Sequence, residues 1–195
     1  VAVTAALWTG VQAWLVGARL YLPATWLTPA QRARGKIPAT VVFQEKWRLA
    51  LTLLRQVRAS GITVTAVVAD AEFGDCTAVR RMLHTIEMPY ALGVSSHLTV
   101  FVGTPPTQPP APRIGRGRPA SQPRLAPGVT PISIRDLAAQ TAAHHWRTVS
   151  WRNGTHAPWR ARFWACRVTP AHDWRSRRVA PTIWLLCQRD LGATP

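Results

Sequence analysis

The sequence has 195 residues, which suffices for one domain with a hydrophobic core, or for such a domain with an insert. Its formal charge of +16 favours a polyanionic partner. Nucleic acid is the preferred candidate and an acidic membrane surface is the rival. Arginine-rich codon usage is the alternative explanation, since it would raise the charge without any partner. Three widely spaced cysteines without a C-x-x-C pair argue against a disulfide framework and a cysteine zinc site, and predict a cytoplasmic protein.

The apolar start of the chain, VAVTAALWTGVQAWLVGARLYL, has two interpretations. A signal peptide or membrane span is one, but there is no initial Met or basic segment, and Gln12 and Arg19 interrupt the run. We therefore predict no membrane segment and two β-strands around WTG, with Gly10 in the turn, in a chain that begins inside a fold. A proline-broken loop follows, with a short helix beginning at Thr28 and Pro29.

Residues 42–95 predict the order helix, strand, helix, strand. The first helix ends at Gly61 and has apolar residues at helical spacing, namely Trp47, Ala50, Leu51, Leu54 and Val57. ITVTAVVAD predicts a β-branched strand buried on both faces. The second helix, with Asp75 as its cap, has its apolar positions at Val79, Met82, Leu83 and Ile86, and YALGV is the next strand. This order predicts an α/β unit with a largely parallel sheet.

Residues 103–131 are rich in Pro, Gly, Arg, Ser and Thr, and predict an exposed, disordered insert. Within it, RIGRGRP resembles the core of an AT-hook, whose arginine side chains enter a narrow A·T minor groove. Arg113, Arg116 and Arg118 are therefore candidate DNA contacts, with an ordinary basic linker as the alternative.

The last third of the chain predicts one helix, ISIRDLAAQTAA, and three strands that return to the sheet in antiparallel orientation. The strands are HHWRTVSWRNG, WRARFWACRVT and APTIWLLCQR. Tryptophans at strand positions are expected in the core more often than stacked on bases. His144 and His145 lack the spacing of a zinc helix and are expected as polar residues at a strand entry. We divide the chain into residues 1–102 and 132–195, which share one core, and the insert at 103–131.

Three of the eight carboxylates lie within VVADAEFGD. Asp70 ends a predicted strand at the sheet edge where open α/β sheets hold active sites. A carboxylate there can bind Mg²⁺, and two such ions about 3.5–4 Å apart stabilise both oxygens of a phosphodiester displacement. In the structural alternative, Asp70 is a turn acid, Asp75 caps a helix and Glu72 is solvated.

The ordered motifs ARLYLPATW, FQEKWRLAL, VVADAEFGD and RRMLHTIEMPYALGV resemble insertion-sequence transposases of the DDE superfamily, of the seven-hundred-and-one type. The resemblance implies a ribonuclease-H-like α/β core with a mixed sheet and flanking helices. It also implies Asp70 as the second catalytic Asp and a ligand of two divalent ions, Mg²⁺ or Mn²⁺. DNA is the implied partner, with a homo-oligomer in the strand-transfer complex and a location at the bacterial nucleoid.

The sequence departs from that family pattern at two places. The first catalytic Asp is expected on a strand before VAVTAALW and the final Glu beyond TIWLLCQR, yet no acid precedes Glu45 and no Glu follows Glu87. We interpret the chain as the middle of a longer protein or a truncated remnant. Two functions remain open: a transposase core that cuts and joins DNA only when complete, and a basic DNA-binding remnant that does not cut.

Overall fold

The computed structural model describes residues 1–109, 123–153, 158–174 and 181–191. The candidate DNA contacts Arg113, Arg116 and Arg118 lie outside these residues. The chain divides into two compact units, Val1–Val94 and Ser95–Pro195. Within the described ranges, no helix is long and apolar enough to cross a membrane.

The first unit begins with the predicted hairpin. Strands β1 (Ala2–Trp8) and β2 (Ala13–Leu20) pair in antiparallel orientation, and Gly10 in the turn has a positive φ of 93°. Helix α1 (Pro29–Gly35) then begins as predicted, with the Thr28 side chain accepting a hydrogen bond from the Gln31 amide at 3.4 Å.

The helix, strand, helix, strand order is confirmed in the rest of this unit. The elements are α2 (Lys46–Ala59), β3 (Val67–Ala69), α3 (Ala71–Gly74), α4 (Thr77–Thr85) and β4 (Tyr90–Leu92), and β3 and β4 are parallel. Helix α2 packs Leu49 and Leu53 against Val3 of the hairpin. A second cluster, Val79, Leu83 and Met88, is formed by α4 and the residues that follow it.

Two local predictions in this unit are wrong. Strand β3 covers only the last part of ITVTAVVAD and is not buried on both faces, because Val68 is 80% exposed and β4 is the one strand that pairs with β3 in the described structure. The N-cap of α4 is Cys76 rather than Asp75. The shift arises because AEFG folds into α3, which places Asp75 at the C-terminal end of that short helix.

The second unit contains a five-stranded antiparallel sheet. Its strands are β5 (Thr99–Val102), β8 (Ile132–Ser133), β9 (Arg147–Asn153), β10 (Pro158–Pro170) and β11 (Ile183–Arg189). The order is β11-β10-β5-β8, and β9 also pairs with β10. Helices α5 (Ile134–Gln140) and α6 (Ala171–Trp174) belong to this unit. A separate two-stranded ribbon, unforeseen from the insert's composition, joins β6 (Thr107–Gln108) and β7 (Arg124–Leu125).

The mixed α/β class is confirmed, whereas the predicted return of the late strands to the sheet of β3 and β4 is wrong. In the described structure β10 pairs with β5, β9 and β11 pair with β10, and β3 and β4 form a separate pair. The expectation for the tryptophans holds for Trp146, which is buried, but fails for the exposed Trp151, Trp159 and Trp184. His144 lies, as expected, just before β9, in a 3-10 turn.

Candidate active site around Asp70

Asp70 lies between the carboxyl end of β3 and the first turn of α3. Its backbone is extended, and its Oδ1 accepts a hydrogen bond from the Glu72 amide at 3.1 Å, so Asp70 is the N-cap of α3. The side chain is exposed, and within the described residues its second oxygen has no hydrogen-bond partner. The carboxylate therefore has one oxygen that orients the turn and one that faces solvent.

Two glycines hold this turn against the residue that follows β4. A Cβ atom on Gly74 would lie 1.7 Å from the carbonyl oxygen of Gly93, and one on Gly93 would lie 3.0 Å from the Ala71 nitrogen. The Gly93 amide also donates to the Ala69 carbonyl at 2.8 Å. Because backbone meets backbone here, only glycine fits at Gly74 without movement of the chain. The sequence analysis did not single out either glycine, although Gly74 lies within VVADAEFGD and Gly93 within YALGV.

The buried Arg80 secures the other end of the same turn. Its guanidinium donates to the Gly74 carbonyl and, at 3.1 Å, to the Thr77 hydroxyl. A buried guanidinium requires such acceptors, because its charge loses hydration. Arg80 thus joins α3 to α4. The indication of this contact in the sequence is that Thr77 and Arg80 are three residues apart, about one helical turn.

The second carboxylate of the motif is engaged elsewhere. Glu72, expected to be solvated, forms an ion pair with Lys46 at the start of α2. The hydrogen bond that Lys46 donates to Glu72 is the main cause of a raised Lys46 pKa, with a smaller contribution from the charge of Asp70. The Lys46 ammonium also lies 5.2 Å from the ring centre of Tyr21. Glu72 therefore links α3 to α2 and leaves Asp70 as the carboxylate with an oxygen open to solvent at the end of β3.

A divalent-ion site needs more ligands than this turn supplies. Within the described ranges, no three His, Cys, Asp or Glu side chains are grouped closely enough to hold a metal ion. Mg²⁺ prefers oxygen ligands and retains several waters when one or two carboxylates bind it. Asp70 is chemically suited to be one of those carboxylates, but these residues do not form a complete site.

An apolar cavity of about 400 Å³ lies within the first unit beside β3. Consecutive residues 3–8 of β1 line one side, and consecutive residues 63–69 line the other. Because side chains alternate along a strand, consecutive lining residues mean that a strand edge faces the cavity. In the described structure β1 pairs only with β2, and β3 only with β4, so both edges that face the cavity lack a strand partner. Leu53 and Val57 of α2 and Leu83 of α4 complete the apolar lining.

Comparison with known proteins gives one match. A family model described as DDE superfamily endonuclease matches residues 1–158, which include Asp70 and both strand edges at the cavity. Searches among curated proteins and among solved structures gave no match.

Proposed function

Because the chain belongs to the DDE superfamily of endonucleases, we propose that it forms part of the catalytic core of a transposase that cuts and joins DNA at insertion-sequence ends. The observation that carries the proposal is Asp70, whose carboxylate projects from the carboxyl end of a parallel strand with one oxygen open to solvent. Asp70 would be one ligand of Mg²⁺ or Mn²⁺. Two such ions stabilise the attacking and leaving oxygens of a phosphodiester displacement when they are bound.

Within this proposal the chain's own residues position the Asp70 carboxylate. The Glu72 amide orients Oδ1, the Gly74–Gly93 contact sets the height of the turn above the sheet, and Arg80 holds the last carbonyl of α3. The Lys46–Glu72 pair keeps the neighbouring carboxylate away from the open oxygen of Asp70. These contacts preorganise the ligand before substrate binds.

The remaining carboxylates would come from residues outside this turn. The cavity between β1 and β3 supports this part of the proposal, because an extended segment seated there would pair with both unpaired edges. A segment parallel to β3 would end beside Asp70, since the carboxyl ends of parallel strands meet at one edge of a sheet. We propose this cavity as the position of a strand in the complete catalytic core.

The second candidate is a DNA-binding protein that does not cut. The net charge of +16 favours it, since phosphate contacts need no metal. The shared core of residues 1–102 and 132–195, the insert at 103–131, and DNA contacts by Arg113, Arg116 and Arg118 stay predictions under both candidates, as does a nucleoid location.

End nicking in Mn²⁺ by a protein that contains all the catalytic carboxylates separates the two candidates. Asp70→Asn is the informative variant, because asparagine is as good an N-cap as aspartate but carries no charge. We expect this variant to lose nicking by at least about 100-fold, which corresponds to roughly 2.7 kcal/mol of transition-state stabilisation, while duplex binding and thermal stability stay unchanged. Glu87→Gln, which changes an exposed carboxylate of the same unit outside this turn, is the matched control and should nick normally. Equal nicking by the Asp70→Asn variant and the parent protein would refute the catalytic assignment.

A further inference from the structure

One face of the sheet in the second unit presents aromatic and aliphatic side chains to solvent. Phe163, Ala165 and Arg167 alternate along β10, and their cross-strand neighbours on β11 include Leu186 and Trp184. Side chains of directly opposed residues project from the same face. The Trp151 ring lies on this face as well. Its centre is 5.5 Å from the ring centre of Phe163 and 6.3 Å from that of Trp159. We call Trp151, Trp159, Phe163, Trp184 and Leu186 the aromatic face.

Four of the five side chains of the aromatic face are exposed, and Phe163 is half-buried. Trp184 is 67% exposed, Trp159 54% and Trp151 47%. On β11 the alternate residues Leu185 and Cys187 are buried. Monomeric proteins rarely expose several large aromatic residues together unless a ligand or partner binds there.

The charge of these strands identifies the kind of ligand. The described residues of β9, β10 and β11 include six arginines and neither Asp nor Glu: Arg147, Arg152, Arg160, Arg162, Arg167 and Arg189. Two of them lie beside exposed rings of the aromatic face. The Arg152 guanidinium is 5.9 Å from the Trp159 ring centre, and that of Arg167 is 5.3 Å from Trp184. An apolar protein partner would have to bury these guanidinium groups without counter-charges, which is unfavourable.

We infer that the aromatic face binds unpaired nucleotides of a DNA strand, with bases stacked on Trp159 and Trp184 and phosphates contacting Arg152 and Arg167. This inference rests on the proposed DNA substrate and adds which form of DNA this surface recognises. Bases in a duplex are already stacked on each other, whereas an unpaired base offers its flat face to a side chain. Trp184 lies opposite Arg167, which is eight residues from Trp159 on β10. At about 3.3 Å per residue the two stacking positions are roughly 26 Å apart along the strand, which corresponds to about eight nucleotides at ~3.4 Å each.

The test measures binding of the purified chain to a fluorescein-labelled 12-nucleotide single strand of mixed sequence and to the matching duplex. Trp159→Ala and Trp184→Ala should each weaken single-strand binding about 5- to 150-fold, the range for loss of one base stack. Duplex affinity should change less than about twofold, because phosphate contacts dominate there. Trp184→Tyr keeps a stacking ring and should retain most of the affinity. Trp14→Ala, an equally exposed tryptophan of the hairpin, is the matched control and should leave single-strand affinity unchanged.

The outcomes separate this inference from the proposed function. Equal weakening of single-strand and duplex binding in the Trp159 and Trp184 variants, or an equal effect of Trp14→Ala, would overturn the inference. Binding to phosphatidylserine vesicles without single-strand binding would overturn it in favour of a membrane surface. Loss of nicking through Asp70→Asn tests the catalytic function instead, and leaves the tryptophan-dependent binding unaffected. Circular dichroism of each variant verifies that its fold is intact.

Discussion

Gly74→Ala directly tests the turn that positions Asp70. The new methyl group would lie 1.7 Å from the Gly93 oxygen, 2.9 Å from the Gly93 carbonyl carbon and 3.0 Å from the Leu92 Cβ. Ordinary contacts are 3.4 Å or longer. The backbone of α3 or of residue 93 would therefore have to move by roughly 1.5 Å or more, since close-packed interiors offer no spare volume.

The size of the stability loss follows from the contacts that this backbone movement disrupts. Overpacking of this kind costs about 1–3 kcal/mol, and loss of the 2.8 Å bond from the Gly93 amide to Ala69 adds about 0.5–1.5 kcal/mol. The smaller conformational freedom of alanine in the unfolded chain offsets about 0.4–1 kcal/mol. We expect a net loss of about 2 kcal/mol, within a range of roughly 0.5–4 kcal/mol, in the free energy of unfolding of the first unit.

Urea unfolding, followed by circular dichroism, measures this loss. Gly35→Ala is the matched control, because that added methyl group meets only the flexible Ile37 side chain at 3.3 Å. We expect the control to stay within about 0.5 kcal/mol of the parent, as surface substitutions usually do. If the Gly74→Ala variant is as stable as Gly35→Ala, the close contact between α3 and residue 93 does not exist in solution and the argument for a preorganised Asp70 fails.

Two further predictions concern the core of each unit. Leu83→Ala should lower the free energy of unfolding by about 2–5 kcal/mol, because this side chain is fully buried on the inner side of α4; a loss below about 1 kcal/mol in urea would contradict that packing. Burial raises the pKa of the Cys187 thiol to about 11 from an ordinary value of 9.0. The folded state then keeps a proton that the unfolded chain releases, so stability is full below pH 9 and falls between pH 9 and 11. Cys187→Ala should flatten that alkaline decline, and an unchanged pH profile would refute the assignment.

Local patterns predicted the elements well where one physical signal was strong. The apolar spacing around Leu51 and Val57 and the stop at Gly61 correctly predicted α2, and Gly10 correctly predicted the hairpin turn. The position of Asp70 at the end of a strand was predicted as well, because a β-branched run followed by a turn motif marks a strand end.

Features that depend on distant partners were not predictable from these patterns. Whether the late strands pair with β4 or β5 depends on long-range pairing, which periodicity does not encode. The contact between Gly74 and Gly93 joins two segments that each look like an ordinary turn. The exposure of Trp184 was missed because a strand with apolar residues on both faces usually lies between other layers.

The ribbon of β6 and β7 has a consequence for how this protein tolerates change in length. Because Gln108 pairs with Arg124, the two ends of the connection between them are fixed at neighbouring backbone positions. The entropic cost of closing a chain between two such fixed ends rises by only about 0.6 kcal/mol for each doubling of the chain length between them. Evolution or an engineer can therefore lengthen, shorten or replace this connection, for example with a fluorescent reporter, while the five-stranded sheet keeps its register.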